Sequence, residues 1–274
     1  MNYGELVSVI VPTFNAESTI DRCLESVVNQ SYENLEIICC DDCSTDNTYD
    51  KLMQWSQVDS RIKVFKNSRN SRAAYTRNKC IEHSNGEIIV QIDDDDYCVL
   101  NRVEKLVNFM LNNEKYAIVG SKMHYFDENG VYELEQKKDF TGYEPKKKDF
   151  LRGSVFSNPS VAFRSTAIKA VGGYRVARET RRGQDFDLFM RMYQAGFKGY
   201  ILPDKLVYYY RGKNSFPKCK YEYRIDEARI RFKNYCKLGL MPHGLIYAIK
   251  PLIVGLIPIE LVEKAKRKLG TKRQ

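Results

Sequence analysis

An apolar run, Glu87-Ile88-Ile89-Val90-Gln91-Ile92, ends in four consecutive aspartates, Asp93 to Asp96. The run reads as a buried strand that delivers a carboxylate cluster to its C-terminal end. Such a cluster repels itself and costs stability unless a cation or hydrogen-bond donors neutralise it. Oxygen-only, carboxylate-rich sets suit the hard divalent ions Mg²⁺ and Mn²⁺. In open α/β sheets, ligands bind outside the carboxyl ends of the strands. The physical reading is therefore a metal site at the edge of a parallel sheet. The competing reading is a solvated acidic turn that caps a helix starting near Asn101.

The chain around this strand has a regular rhythm. Leu6 to Val11 is near-continuously apolar and ends at Pro12, as a buried parallel strand would. A polar loop leads to a helix with apolar positions Ile20, Cys23, Leu24, Val27 and Val28, and Ser18 is placed to cap it. A second strand, Leu35 to Cys40, ends in Asp41-Asp42-Cys43-Ser44-Thr45-Asp46. A helix to about Val58, a short strand at Ile62–Phe65 and a helix from about Arg72 to His83 then precede the aspartates. This β-α-β-α-β-α-β order predicts a doubly wound, mostly parallel α/β sheet of Rossmann-like type with right-handed crossovers. Neither a P-loop nor a GxGxxG follows the first strand, so a bound nucleotide is not gripped by a glycine-rich phosphate cradle.

Composition narrows the class. With 274 residues, 43% of them hydrophobic and 29% charged, the chain has material for one large domain, or one domain with a tail. Eight cysteines are scattered through strand-like and helix-like runs, which suits reduced, buried thiols in a cytoplasmic protein. Cys40 and Cys43 form a CxxC, but no second pair with zinc spacing follows. No basic and apolar leader precedes the first strand, so a signal peptide is not expected. No apolar span approaches the roughly 20 residues needed to cross a bilayer. Of the net charge of +9, residues 244–274 carry +5, with seven Lys or Arg against two acids. That basic excess adjoins the apolar stretch Leu245–Pro258 and precedes Lys264-Ala265-Lys266-Arg267-Lys268, a pairing that points to an anionic membrane surface.

Four motifs in order are similar to those of family 2 glycosyltransferases. Ser8-Val9-Ile10-Val11-Pro12-Thr13-Phe14-Asn15 resembles the family's opening strand. Asp41 to Asp46 resembles its second acidic loop, with Cys43 where glycine is commoner. Asn85-Gly86-Glu87, the following strand and Asp93–Asp96 resemble its DxD-type element. Gly183-Gln184-Asp185-Phe186-Asp187-Leu188 resembles the later motif that supplies the catalytic base, with Gln184 where glutamate is usual. The resemblance covers roughly the first 215 residues. It implies a GT-A fold and transfer of a sugar from a nucleotide-activated donor.

The resemblance also implies roles. Phe14 is expected against the uracil ring, with Pro12 shaping the loop beneath it. Asp41 is expected to accept a hydrogen bond from uracil N3–H, which cytosine lacks. The alternatives place Phe14 in the core and Asp41 as a cap on the second helix. Arg72, or less favourably Arg77, is expected to contact the base or diphosphate. Asp94 is expected at the ribose hydroxyls, and Asp95, with Asp93, at a Mn²⁺ or Mg²⁺ ion. Asp185 is the expected base that deprotonates the acceptor hydroxyl, with Asp187 as its competitor. One base opposite the leaving group implies inversion. The segment Tyr209–Ser215 resembles a loop that closes over the diphosphate and often carries a histidine. Here Arg211 or Lys213 would neutralise phosphate charge, and no histidine in that loop is available as a metal ligand.

The expected organisation is a GT-A domain at 1–215, with a nucleotide-binding half (1–100) and an acceptor-binding half (101–215). A helical extension at 216–274 would associate with the membrane or fold back on the domain. The implied donor is a UDP-hexose or UDP-N-acetylhexosamine, and the implied acceptor is a glycan or undecaprenyl-diphosphate-linked glycan. That combination suggests surface-polysaccharide assembly at the inner face of the cell membrane. Acceptor choice is expected to lie in the 120–180 region. A nucleotidyltransferase would show a glycine- and arginine-rich loop where Pro12-Thr13-Phe14-Asn15 stands. A nucleic-acid-binding module would have to overcome phosphate repulsion by the acidic sheet edge. A degenerate scaffold would not need both Asp95 and Asp185.

Overall fold

In the computed structural model, which describes residues 4–132, 140–212 and 220–256, one mixed sheet organises the chain. The first four main strands are β1 (Val7–Thr13), β2 (Leu35–Asp41), β3 (Ile62–Lys66) and β4 (Ile88–Gln91). They lie in the order β3-β2-β1-β4 and are parallel throughout. The crossovers are α1 (Ile20–Val28), α2 (Thr48–Val58) and α3 (Arg72–Glu82), so the doubly wound half has the expected rhythm.

The strands have both faces covered, which is why their sequences run apolar without polar alternation. Val9, Val11, Ile37, Cys39 and Val90 point to one core, with α1 supplying Ile20, Cys23, Leu24 and Val27. Ile10, Ile38, Cys40 and Ile89 point to the other, with Cys80 and Ile81 from α3. All seven cysteines among the described residues are free, and five of them are buried. The DxD-bearing strand is locked in register by Gly86. A Cβ there would come within 2.6 Å of the Ser8 backbone nitrogen, so only glycine lets the turn approach β1.

The second half departs from parallel pairing. β5 (Tyr97–Cys98) follows the aspartates, α4 (Arg102–Leu111) covers one face, and β6 (Tyr116–Asp127) forms a hairpin with β7 (Gly130–Tyr132). β8 (Ala162–Arg164) inserts between β4 and β6, antiparallel to both. Two helices, α5 (Ser165–Ala170) and α6 (Gln184–Gln194), then lead to β9 (Lys198–Tyr210), which runs parallel to β6 and antiparallel to β5.

After β9, α7 (Tyr221–Leu238) packs against α6 and ends at Gly239, whose φ of +72° gives the left-handed cap that glycine adopts freely. The last described helix, α8 (Gly244–Gly255), folds back along α7. Its buried residues, Gly244, Ala248 and Pro251, share one face. Leu245, Ile246, Ile249, Ile253 and Leu256 are exposed, Ile246 at 77% and Leu256 at 73%. The basic segment Lys264–Lys268 lies outside the described residues.

Candidate active site

Three loops at the C-terminal edge of the parallel half are tied to one another. Asn15 sits at a φ of +50°. Its backbone nitrogen donates to Ser44 Oγ (2.9 Å), and its side-chain oxygen accepts from the Thr45 nitrogen (2.9 Å). The Phe14 nitrogen donates to Asp94 Oδ2 (2.9 Å). That bond connects the loop after β1 to the aspartate cluster. The Phe14 ring is not in the core: it is 45% exposed and lines a cavity of about 510 Å³.

Pro12, Phe14, Arg72, Asp93, Asp94 and Asp95 all border that cavity, so six residues picked from the sequence converge on one place. Asp41 does not border it. Its carboxylate is fully buried and accepts the Ser44 backbone nitrogen (3.1 Å) and hydroxyl. Its neighbour Asp42 does border the cavity, and it accepts from Asn67 Nδ2 (2.8 Å), the Ser71 nitrogen (2.8 Å) and the Arg72 nitrogen (2.7 Å). These bonds hold Arg72 at a φ of +71°, a conformation costly for a residue with a Cβ and typical of functional loops. The Arg72 side chain is exposed into the cavity.

The four aspartates divide in role. Asp93 pairs with the buried Arg77 (2.6 Å) and accepts from Gln91 Nε2 (3.0 Å). Burial pushes the Asp94 carboxyl up to about 7 against the Phe14 N–H, with Asp95 and Asp93 adding repulsion. Burial and Asp93 push Asp95 up to about 6, tempered by Arg22 and Arg77. Asp96 faces away from the cavity, fully enclosed, and accepts the Tyr210 nitrogen (2.8 Å). Burial raises its carboxyl well above the usual range, so Asp96 anchors β9 as a structural acid.

Among the described residues no group of three acidic, histidine or cysteine side chains is already gathered around a metal position. The donor set nonetheless fits a hard divalent ion. Asp94 and Asp95 present carboxylate oxygens in a low-dielectric cavity that holds too little positive charge to keep them readily ionised. No side chain among the described residues hydrogen-bonds the Asp95 carboxylate, so its oxygens are the most available.

Asp185 lies in the first turn of α6, next to this cavity but not in its wall. Burial raises its pKa, while the Phe186 N–H and Arg77 pull it back. It has no ion-pair partner among the described residues. With its amide oriented to satisfy both ends, Gln184 accepts from Arg77 Nη1 (3.3 Å). Arg77 therefore stands between Asp93 and the start of α6. Asp187 is a different acid altogether. It is buried and bonded to Arg191 (2.8 Å), Arg175 (3.0 Å) and Asn234 (3.1 Å). Burial raises its pKa, but those three donors outweigh it and hold the carboxyl low. Asp187 thus fastens α6 to α7 and has no free oxygen for a substrate proton.

Asp185 opens instead on a second cavity, of about 330 Å³, walled by α6 and α7. Arg182 and Tyr223 border both cavities, and the Arg182 guanidinium lies 5.2 Å from the Tyr223 ring centre. Arg211 borders neither. Its backbone nitrogen donates to Phe126 O (2.8 Å) and its guanidinium lies 5.9 Å from the Tyr125 ring. Lys213 lies outside the described residues. Sequence reasoning missed Asp42, Arg181, Arg182 and Tyr223. The adjacency of Arg181-Arg182 to Gly183-Gln184-Asp185 was an available clue; Tyr223 stands in a stretch without any motif.

The family model described as glycosyl transferase family 2 matches residues 8–172. EpsE of Bacillus subtilis is 34% identical over 269 residues, covering 98% of this chain and 95% of EpsE. The Escherichia coli protein WfaP is named UDP-Glc:alpha-D-GlcNAc-diphosphoundecaprenol beta-1,3-glucosyltransferase. It is 28% identical over 256 residues, 91% of this chain and 95% of its own. Among solved structures, S. aureus TarS 1–349 in complex with UDP-GlcNAc superposes with a TM-score of 0.69 at 19% identity, covering 89% of this chain and 72% of TarS. That likeness is one of fold.

Proposed function

The chain belongs to glycosyl transferase family 2, and from that premise we propose that it transfers a sugar from a UDP-sugar, a UDP-hexose or UDP-N-acetylhexosamine, to a glycan hydroxyl with inversion. The observation that carries this reading is the junction of the two cavities. One has an exposed aromatic face, carboxylates and arginines at the sheet edge; the other opens on the half-buried carboxylate of Asp185, which has no ion-pair partner among the described residues.

In the first cavity, Phe14 offers its ring to the uracil and Asp94 accepts ribose hydroxyls. Asp41, one layer deeper, supports the loop that meets the base. The cavity wall holds four carboxylates (Asp42, Asp93, Asp94, Asp95) against four guanidiniums (Arg72, Arg77, Arg181, Arg182). That balance leaves no surplus positive charge for a diphosphate. Mn²⁺ or Mg²⁺, held by Asp95 with support from Asp93, would supply that surplus and stabilise charge on the leaving nucleoside diphosphate. Arg72 and Arg182 reach the phosphates from the rim.

Asp185 takes the proton from the acceptor hydroxyl as that oxygen attacks the anomeric carbon. Its raised pKa suits the task, since a base poised nearer neutrality accepts a proton more readily. Arg77, nearby, pulls that pKa back down. A base on the cavity wall away from the diphosphate gives attack from the opposite side, hence inversion.

The acceptor reading is a lipid-diphosphate-linked glycan, with the protein peripheral on an anionic, inner membrane face. The support is α8, whose exposed apolar residues run from Leu245 to Leu256 and whose last residue, Gly255, packs beside Tyr221 and Arg224 at the start of α7. Membrane contact there would bring a lipid-linked substrate to the mouth of the second cavity. Among the described residues no helix is long and apolar enough to cross a membrane.

Calorimetric titration with UDP, GDP and CDP, each with and without Mn²⁺, tests the donor assignment. UDP alone should bind, more tightly with Mn²⁺, and Asp95→Ala should lose the Mn²⁺-dependent part. Equal binding of all three nucleotides, or none, would sink it.

A further inference from the structure

We propose that the second cavity is an acceptor-sugar subsite built by α7, and that Glu227 is its specificity-determining residue. This deepens the reading of the chain as a glycosyltransferase and rests on it. Arg182, Arg224 and Arg231 face Glu179, Asp185 and Glu227, three cations against three anions without any metal. A balanced wall of that kind neither draws in a phosphate nor repels a neutral ligand. It does offer many fixed donors and acceptors, and these are what the hydroxyls of a sugar ring need.

The apolar part of the wall agrees. Tyr223, Phe186 and Ile230 border the same space, giving C–H-rich sugar faces a surface to lie on. Glu227 is held from two sides, by Arg231 (2.9 Å) and Arg224 (3.4 Å), on successive turns of α7. Two arginines fix its carboxylate in place while leaving it partly exposed, so it can accept from a ligand without paying rotamer entropy again. Arg231 is fixed in turn by the Tyr235 hydroxyl (2.9 Å). The helix stands close to the base because Gly183 lets Ile230 approach: a Cβ at Gly183 would be 3.2 Å from Ile230 Cδ1.

This placement centres acceptor choice on residues 223–231, with Ser154 and Glu179 of the 120–180 region lining the same cavity. Residues 223–231 lie beyond the span 8–172 that matches the family model.

The test is saturation-transfer NMR on the full-length protein loaded with UDP and Mg²⁺, which is diamagnetic. The probes are the methyl glycosides of glucose, galactose and N-acetylglucosamine. At least one glycoside should receive saturation from the protein. Glu227→Gln keeps the side chain's size, and it should weaken that glycoside by about tenfold or more, the usual worth of a charge-assisted hydrogen bond. Ser154→Trp, at the exposed rim of the cavity, should abolish contact by filling it. UDP affinity should stay within about twofold in both variants, a margin near 0.4 kcal/mol. Failure of every glycoside to contact the parent would overturn the proposal. So would binding that survives both variants, or UDP affinity that falls with glycoside binding. A parent that binds a glycoside but not UDP would instead defeat the donor assignment and leave the subsite standing.

Discussion

The two cavities meet at Arg182 and Tyr223 but are made in opposite ways. The first is built at strand ends, where short loops after β1, β2 and β4 hold one another by bonds such as Phe14 N to Asp94 and Asn15 to Thr45. The second is built by packing one helix on another, with Asp187 clamping α6 to α7 through Asn234. Strand-end loops carry their functional residues in short motifs at the ends of strands; helix packing draws them from a stretch without any motif, as it brings Glu227 of α7 to Asp185 of α6. A nucleotide common to many donors suits the first construction, and an acceptor that differs between enzymes suits the second.

The strongest way to break this comparison is Asp185→Asn. If the second cavity holds the base and the first does not need it, transfer should fall by about 10³-fold while UDP affinity is unchanged. Stability should move the other way. Burial raises the folded-state pKa of Asp185, so the folded protein prefers the protonated form and loses stability as pH rises through the carboxylate range. A neutral asparagine removes that penalty, so Tm at neutral pH should rise. Lost UDP binding in Asp185→Asn would show that the two cavities are one site.

The next effect concerns the residue that stands between them. Protonated Asp185 cannot act as base, so kcat should fall as pH drops through its pKa, with the acid limb above the roughly 3.9 of a free aspartate. Arg77 lowers that pKa, so Arg77→Gln should move the limb to higher pH and also weaken donor binding through Asp93. Asn78, next in sequence, bonds to Tyr174 O (2.7 Å) instead, and Asn78→Ala should leave the limb in place. Movement of the limb in both variants would mean that α3 acts through general loosening.

A smaller effect sharpens the donor side alone. Phe14→Ala removes the aromatic face without touching the Phe14 N–H to Asp94 bond. UDP affinity should fall about tenfold, in line with the roughly 1–1.5 kcal/mol of an aromatic pair. Transfer at saturating donor should stay close to that of the parent. A matching loss in kcat would mean that the ring also positions the sugar.

These differences explain what the sequence made legible. The parallel half was readable because buried strands run continuously apolar and their ends carry the polar motifs, so Pro12, Phe14, Arg72, Asp93, Asp94 and Asp95 could be named before they were seen together. The resemblance carried Asp185, whose competitor Asp187 only the structure separates, through the Arg175, Arg191 and Asn234 bonds. The aspartates' division of labour was not readable either, since one residue's shift turns Asp96 from the cavity to the β9 backbone. Arg182, Tyr223 and Glu227 carry no motif. They come together because α7 folds back onto α6, and nothing local in residues 221–231 declares that contact.

The smallest effect tests whether a departure from the family's pattern is neutral. Cys43 stands where glycine is commoner, and the structure shows why glycine is favoured: the backbone there has a φ of +61°. A side chain in that region costs about 1–2 kcal/mol. Glycine removes that cost but gives the unfolded chain more freedom, which takes back roughly 0.4–1 kcal/mol. The two terms oppose, and the strain is the larger, so Cys43→Gly should stabilise the protein by about 0.5–1 kcal/mol in urea unfolding. UDP affinity should not change, because the turn is already held by Ser44 bonding to Asp41 and to the Asn15 nitrogen. A loss of stability would mean that the Cys43 side chain makes up its strain by packing, and that strand-end loops are less independent of their side chains than the donor cavity implies.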